Sequence, residues 1–202
     1  MGTFHSVCAK MLRSEIHNLD YTSDFSIFDV QDQTSLLKVI LEPMDFPKNY
    51  ITPKDLRFKI SYFKNRLISP EEAKNKANII IDNHYAELYE KYQIALKDNN
   101  AVDFDDLLLL PLQIFEKFPK VLASYQEKWK YILVDEYQDT NKPQFMLVKY
   151  LAKSHQQICV VGDDDQSIYG WRGADISNIL DFEKTFKNSE IFKLETNYRS
   201  TS

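Results

Sequence analysis

Glycine is scarce in this chain of 202 residues: there are only four, and Gly162, Gly170 and Gly173 lie within one short stretch. Because glycine adopts conformations that other residues avoid, the unusual backbone geometry is predicted to be concentrated there. No glycine-rich loop ending in Gly-Lys-Ser or Gly-Lys-Thr occurs anywhere in the sequence. The loop that commonly cradles phosphates is therefore absent from these residues.

Cysteine and long apolar runs are also scarce. Cys8 and Cys159 are far apart and neither belongs to a metal-spaced pair, which favours reduced thiols in a cytoplasmic protein. No apolar run approaches the ~20 residues of a membrane span. The N-terminus carries no basic-then-apolar signal pattern. We therefore expect no membrane partner.

The formal net charge of −5 does not by itself indicate nucleic-acid binding. Basic residues are nevertheless concentrated in residues 54–66, where five of them accompany a single acidic residue. Phe58, Tyr62 and Phe63 alternate with these charges. Such a stretch fits either a surface lying on a phosphate backbone or a solvated helix face with its aromatic rings packed inward. The sequence leaves both interpretations open.

Three regions differ in pattern. Residues 1–20 have apolar residues at helical spacing, and residues 21–102 look helical throughout. Within the second region, Ser69, Pro70 and Glu72 predict a capped helix start, and the apolar stripe that follows continues to Ala95. Residues 103–202 alternate helices with short apolar strands, so the sequence predicts three regions, of which the second is helical.

Short strands in the third region are predicted at residues 131–134, 158–161 and 191–194. A helix with a kink or break at Pro111 precedes them, Asn141 and Gln144 predict a capping box at the start of another helix, and a last helix is predicted over 175–186. Strands that alternate with helices indicate an α/β fold with a parallel sheet covered on both faces. Ligands of such sheets bind beyond the carboxyl ends of the strands.

Acidic and amide residues follow two of these strands. Asp135 ends the first strand, where a carboxylate can hold Mg²⁺ together with water, and the adjacent Glu136 can polarise a water molecule for attack on a phosphate. Gln166 follows the next strand, and its neutral amide can report whether a terminal phosphate is present. An acidic strand-to-loop cap is the structural alternative for Asp135 and Glu136.

The loop beyond Gln166 is rich in aromatic side chains. Tyr169 and Trp171 flank a glycine, with Arg172 beside them, and rings in such a loop are suited to stacking on bases. Arg199 follows the last predicted strand, where a guanidinium can form charge-assisted hydrogen bonds to a phosphate.

Five stretches together resemble the ordered motifs of superfamily 1 DNA helicases of the UvrD/PcrA/Rep type. They are TFHS at 3–6, VDFDDLLL at 102–109, VDEYQDTN at 134–141, VGDDDQSIYGWRGA at 161–174 and NYRS at 197–200. The first is similar to motif Ib of that family, and the later ones to motifs II, III and IV. Their order and spacing agree along the whole chain, and the fourteen-residue match at 161–174 is highly specific.

The resemblance implies a translocase that uses ATP and Mg²⁺ to move 3′ to 5′ along single-stranded DNA and to separate the duplex at single/double-strand junctions. It implies part of a RecA-like P-loop NTPase sheet with an inserted all-helical subdomain at 21–102. It assigns Mg²⁺ to Asp135, catalysis to Glu136, and phosphate contacts to Gln166 and Arg199. The residues that it places on DNA are Thr3, Phe4, His5, Tyr169, Trp171 and Arg172.

The family's phosphate loop precedes TFHS and its second RecA-like domain follows NYRS, and neither lies in these residues. The sequence therefore predicts a fragment that does not hydrolyse ATP alone and that needs the missing segments of its parent as partners. A helicase subunit of a recombination nuclease is the near alternative. A non-catalytic DNA-binding module is an alternative of a different class, and a purely structural role is a third.

Overall fold

A computed structural model describes residues 1–47, 49–166, 177–180, 182–187, 189–194 and 196. Its helices are α1 (Phe4–Glu15), α2 (Val30–Leu41), α3 (Pro53–Lys64), α4 (Pro70–Asn75), α5 (Ile80–Asp98), α6 (Asp106–Lys117), α7 (Pro119–Lys128), α8 (Lys142–Ala152), α9 (Ser177–Leu180) and α10 (Phe182–Thr185). Its strands are β1 (Ser26–Phe28), β2 (Ala101–Asp103), β3 (Ile132–Val134) and β4 (Ile158–Val160). Short 3₁₀ turns lie at Ile16–Leu19, Glu42–Met44, Tyr137–Asp139 and Asp164–Gln166. None of the described helices combines the length and apolar character needed to cross a bilayer.

The strands pair in parallel, as predicted, but they form two small sheets in the described residues, β1 with β2 and β3 with β4. Ile27 lies opposite Val102, and Leu133 lies opposite Cys159. The expected cover on both faces is wrong for the second sheet, because the Leu133 side chain is 80% exposed. One face of β3 is therefore open to solvent within the described part of the chain.

The prediction of an entirely helical region at 21–102 is wrong at both ends. β1 lies near its start and pairs with β2 at its end, so the two strands bracket helices α2 to α5. A strand of three residues is too short for an alternating pattern to stand out, and its partner is remote in sequence. Between the strands, the helices share one apolar core, which includes Leu37, Leu56, Ile60, Leu88, Tyr89, Tyr92 and Leu96.

The predicted capping box at Ser69 and Glu72 is confirmed, and so is the one at Asn141 and Gln144. The single helix expected after Ser69 is instead divided into α4 and α5, with residues 76–79 between them. Ile79 and Ile80 are 59% and 72% exposed, so no packing against the core stabilises a continuous helix at this point.

Two further expectations for 103–202, a break at Pro111 and a strand at 191–194, are corrected. Pro111 lies inside α6 without ending it. Where a helix is expected over 175–186, the described residues form α9 and α10, and residues 175, 176 and 181 lie outside the described part of the chain. Residues 191–194 form no strand, since Phe192 and Leu194 are 81% and 91% exposed and no described strand pairs with them. A strand needs a hydrogen-bonded neighbour, which its sequence cannot supply alone.

Helix α6 is the centre of the remaining structure, because residues on several of its faces are buried. One face packs with α1, α7 and α8 around Cys8, Met11, Leu108, Leu112, Phe115 and Leu147. Another packs with α1 and β2 around Leu12, Ile16, Val102, Leu107, Leu110 and Ile114. A third cluster joins β3, α8 and the residue that follows α10 through Val134, Tyr137, Val148, Ala152 and Phe186. This cluster includes the residues on either side of Asp135 and Glu136, Val134 and Tyr137, and so fixes the backbone that carries the two acidic side chains.

A buried ion cluster joins the end of α3 to β2 and the start of α6. The Lys64 ammonium lies 2.6 Å from an Asp103 carboxylate oxygen and 2.7 Å from one of Asp106, and all three side chains are almost fully buried. The Tyr92 hydroxyl also donates to Asp103 at 3.2 Å. Burial alone would lower the pKa of Lys64, but the two carboxylates outweigh it and hold that pKa above its ordinary value.

Candidate functional site

The acidic residues predicted to be functional follow β3 directly. Asp135 and Glu136 are exposed, and the backbone N–H of Glu136 donates to Asp135 Oδ1 at 2.9 Å. Glu136 has φ 52° and ψ 44°, the left-handed region that residues with a side chain seldom occupy. The backbone bonds Val161 N to Val134 O, 2.8 Å, and Tyr137 N to Val161 O, 2.9 Å, attach this loop to the one after β4.

Gln138 connects the two loops through its side chain. Its Nε2 donates to Glu136 Oε2 at 2.8 Å, and its Oε1 accepts from the backbone N–H of Asp163 at 3.0 Å. Asp163 Oδ2 in turn accepts from Gln166 Nε2 at 2.6 Å. The structure thus brings the predicted residues Glu136 and Gln166 into one hydrogen-bonded chain, and Gln138 is the member that sequence reasoning missed.

Gly162 permits this close approach of the loops. A Cβ atom at that position would lie 2.6 Å from Gln138 Oε1 and 2.7 Å from Ile179 Cδ1. Both distances are too short for a carbon atom, so any larger residue would displace the Gln138 amide from its place between the loops. The scarcity of glycine in the sequence pointed to this stretch, although not to this contact.

The donors around Asp135 fit a magnesium ion that is held partly by its ligands. No group of three or more acidic, histidine or cysteine side chains that could enclose a metal is present in the described residues. Mg²⁺ is usually bound through one or two carboxylates together with substrate phosphates and water, so a single exposed carboxylate at a strand end fits that mode of binding. Burial and the charge of Glu136 raise the pKa of the nearby Asp139.

The TFHS segment forms the start of α1. Thr3 is the N-cap, and its Oγ1 accepts from the backbone N–H of Ser6 at 3.3 Å. Phe4 is partly buried and packs against the apolar clusters of α8 and β3. Two of the three residues predicted to contact DNA in this segment therefore also have structural roles, in capping and packing.

His5 is placed differently, because its ring stacks on Phe104. The ring centroids are 3.9 Å apart with an interplanar angle of 20°. Phe104 follows β2 and is 55% exposed, so the pair presents an aromatic surface to solvent. Burial lowers the pKa of His5 below its ordinary value, which favours the neutral ring. Phe104 was not singled out from the sequence, although it lies within the VDFDDLLL stretch that resembles the helicase family.

A groove of about 820 Å³ runs from the start of α1 to the end of β3. Thr3, Phe4, His5 and Asp135 all line it, so four predicted site residues face one space. Its walls are largely apolar and include Met11, Trp129, Tyr131, Ile132, Leu133, Val134, Leu147, Val148 and Leu151. The groove thus places the predicted DNA segment beside the predicted metal ligand.

Four predicted site residues, Tyr169, Trp171, Arg172 and Arg199, lie outside the described residues. The described backbone stops at Gln166 on one side of the aromatic loop and resumes at Ser177 on the other. Their roles remain predictions from the sequence.

Helix α3 carries most of the basic stretch at 54–66, and its burial decides in part between the two interpretations of that stretch, a DNA-binding surface or a solvated helix face. Phe63 and Lys64 are buried, whereas Phe58 and Tyr62 are 55% and 47% exposed. The Arg66 guanidinium lies 3.8 Å from the centre of the Tyr62 ring, a cation–π contact on the outer face of the helix. One side of α3 thus packs inward, as the solvated-helix interpretation requires, while the other keeps a basic and aromatic surface.

Comparison with known proteins gives the chain its family. The family model for the UvrD/REP helicase N-terminal domain matches residues 1–187. The chain belongs to the UvrD/REP helicase family. The ATP-dependent DNA helicase PcrA of Bacillus subtilis strain 168 is 47% identical over 201 residues, which cover 100% of this chain and 27% of that protein.

Two further members of the UvrD/REP helicase family are similar over the same range. The ATP-dependent DNA helicases PcrA of Staphylococcus epidermidis and of Staphylococcus aureus strain Mu50 are each 46% identical over 201 residues, covering 100% of this chain and 28% of theirs. The chain therefore spans just over a quarter of the length of these relatives. The match covers the TFHS segment, helices α2 to α5 and the loops that follow β3 and β4.

Proposed function

We propose that the chain is the part of an ATP-dependent DNA helicase that carries motifs Ib to IV, with 3′ to 5′ movement on single-stranded DNA. The observation that carries the proposal is the hydrogen-bonded chain from Glu136 through Gln138 and Asp163 to Gln166. It joins the loops that follow two parallel strands, which is where open α/β sheets bind their ligands. The relatives are ATP-dependent DNA helicases, which supports ATP and DNA as those ligands.

Within this proposal, Asp135 is the residue that would hold Mg²⁺. Mg²⁺ there would neutralise charge on the phosphates. Glu136 orients the attacking water, and its place is fixed by the Gln138 amide. Gln166 senses the terminal phosphate, and Arg199 contacts it. Because Gln166 bonds Asp163, a change at the phosphate would reach Gln138 and the acidic loop, and Gln166 itself begins the stretch of sequence that continues to Tyr169 and Trp171.

The proposed DNA surface combines Thr3, Phe4 and His5 with Tyr169, Trp171 and Arg172. The described part of that surface is the start of α1, and Phe104 extends it by stacking on His5. We further propose that 1–20 and 103–202 belong to one RecA-like domain and that 21–102 is an inserted subdomain. The separate apolar core of α2 to α5 supports this division. The exposed face of α3 would then meet DNA near a single/double-strand junction.

Binding of single-stranded DNA tests the proposal directly. A fluorescently labelled oligonucleotide should bind the chain in an anisotropy titration, more weakly at high salt because phosphate contacts release counterions. Trp171→Ala should weaken binding by about 5- to 150-fold, since stacking on one base contributes ~1–3 kcal/mol. Phe192→Ala is the matched control, because it removes an exposed ring outside the proposed surface and should leave the affinity unchanged.

Two outcomes of that titration would contradict the proposal. One is the absence of binding at low salt by a chain whose circular dichroism shows it to be folded. The other is binding that Trp171→Ala and Phe192→Ala weaken equally, which would mean that the aromatic loop does not hold the strand. Either result would leave the strand-holding function to other segments of a longer protein.

The isolated chain should show no ATP hydrolysis above background in a phosphate-release assay, with or without DNA. The reason is that no Gly-Lys-Ser/Thr loop is present in its sequence to hold the phosphates and complete the metal site. Glu136→Gln is the control, since it removes the proposed catalytic carboxylate with little change in shape. An activity that Glu136→Gln abolishes would refute this prediction. DNA binding without hydrolysis would favour the non-catalytic module for the chain alone.

A further inference from the structure

Asn65, the C-cap residue of α3, lies between two loops that are distant in sequence. Its Nδ2 donates to Asp105 Oδ1 at 3.1 Å, and its Oδ1 accepts from Asn141 Nδ2 at 2.7 Å. Nδ2 also donates to the Ser61 carbonyl one turn earlier in α3, at 2.9 Å. Both hydrogens of the amide and its oxygen are therefore used, and two of these three bonds leave the insertion.

The two partners belong to different parts of the proposed site. Asp105 follows Phe104, and its carbonyl accepts the N–H groups of Leu108 and Leu109 in the first turn of α6. Asn141 ends the loop that begins with Asp135, and its Oδ1 accepts the N–H of Gln144 at 3.0 Å, capping α8. Asn65 thus joins the aromatic surface on one side to the acidic loop on the other.

The position of Asn65 is fixed by its neighbour in the chain. Lys64 is fully buried and its ammonium is held by Asp103 and Asp106, so the last turn of α3 cannot swing away from β2 and α6. Because Asn65 follows this anchored lysine, its partly buried side-chain amide is held in one position and can keep both hydrogen bonds. A surface asparagine without the anchor would exchange these bonds for water at little cost.

We propose that Asn65 is a positioning residue. Its hydrogen bonds couple the acidic loop after β3 to Phe104 and Asp105 after β2, so that a structural change in one of these loops reaches the other. The helical insertion then has a role inside the site as well as beside it. The nature of the two ligands rests on the proposed function, but the mechanical link can be measured without either ligand.

Amide hydrogen exchange of the whole chain tests the link. In Asn141→Ser, a serine keeps the cap of α8 but loses the donor to Asn65. If the link exists, exchange should become about 3- to 10-fold faster at Leu108 and Leu109, which residue 141 does not touch. Asn65→Ala should accelerate both those amides and Gln144, and the double variant should be no faster than Asn65→Ala.

Asn99→Ala is the matched control, because Asn99 is the C-cap of α5 and donates to the Ala95 carbonyl at 2.7 Å, as Asn65 does to Ser61. The Asn99→Ala substitution should accelerate amide exchange only at the end of α5. An Asn141→Ser effect confined to α8 would overturn the proposal, as would additive rates in the double variant. If Asn65→Ala does not fold, the Asn141→Ser result decides alone.

A second measurement adds a single-stranded oligothymidylate. Its binding should slow exchange near His5 and Phe104 and also at Gln144 in the unmodified chain, and Asn65→Ala should lose only the protection at Gln144. Retained protection at Gln144 in Asn65→Ala would overturn the link. Absence of oligonucleotide binding would contradict the proposed function instead, and the ligand-free exchange rates would still decide the role of Asn65.

Discussion

Lys64→Met will lower the free energy of unfolding by about 3–5 kcal/mol in urea denaturation at pH 7.5. Among the described residues, Lys64 supplies the cation that lies within salt-bridge distance of the Asp103 and Asp106 carboxylates, and all three side chains are almost fully buried. Methionine has a similar length but no charge, so the variant would leave two carboxylates facing each other away from water. Removing one member of a buried ion group costs far more than the group itself contributes.

Lys59→Met is the matched control for that substitution. Lys59 lies on the same helix and pairs with Asp82 at 3.5 Å, but both side chains are about one third exposed. Ion pairs of that kind contribute about 0–1 kcal/mol, so this variant should lose no more than that. Equal losses in the two variants would show that the burial of Lys64 is unimportant and would contradict the prediction.

A further variant separates lost charge from lost packing. If the two unpaired carboxylates cause the loss in Lys64→Met, then adding Asp103→Asn and Asp106→Asn should restore much of the stability, because no buried charge remains. If lost packing causes it, the triple variant should be less stable still. This variant also keeps the prediction measurable if Lys64→Met alone does not fold at neutral pH.

The sequence predicted those features of the fold that depend on local signals. Ser69 and Asn141 were identified as helix caps because capping needs only a residue type and a reciprocal partner three residues later. The strands before Asp135 and Gly162 were identified because a short apolar run between helical segments is typical of a parallel strand. The pairing of β1 with β2 was missed, since it depends on two three-residue segments that meet only in the folded chain.

The site was predictable to a similar extent. Asp135, Glu136 and Gln166 were visible as polar residues at strand ends, but the bridging role of Gln138 needed the distance between the loops. The basic stretch in 54–66 carried no sign that Lys64 points inward, because its partners Asp103 and Asp106 lie far from it in the sequence. Charge counted along a sequence cannot distinguish a solvated lysine from a buried one.

Asp106 gives the second large effect, which is a dependence of stability on pH. Burial, with the neighbouring charge of Asp103, raises the pKa of Asp106 to about 7, against 3.8 as the ordinary value. One ammonium neutralises one carboxylate, so the second carboxyl in the cluster favours a proton. A carboxyl whose pKa is raised by folding contributes stability at pH values below its unfolded pKa. That contribution is lost as the pH rises from about 4 to about 7.

Asp106→Asn should remove this dependence, since an amide does not ionise. We expect the free energy of unfolding of the unmodified chain, minus that of the variant, to fall by on the order of 2–4 kcal/mol between pH 4.5 and pH 8. Leu110→Ala, in the same helix, is the control: it removes buried apolar volume but keeps the carboxyl, so its own difference should not change with pH.

If the difference in the free energy of unfolding between the unmodified chain and Asp106→Asn stays constant with pH, Asp106 remains ionised beside Lys64 throughout the range. If that difference falls as the pH rises, the contact of α3 with β2 and α6 is most stable when the cluster carries one proton. In that case the anchor that holds Asn65 in place would weaken as the pH rises through neutrality. The hydrogen-exchange link between the two loops should then weaken over the same interval, and Asp106→Asn should abolish that change.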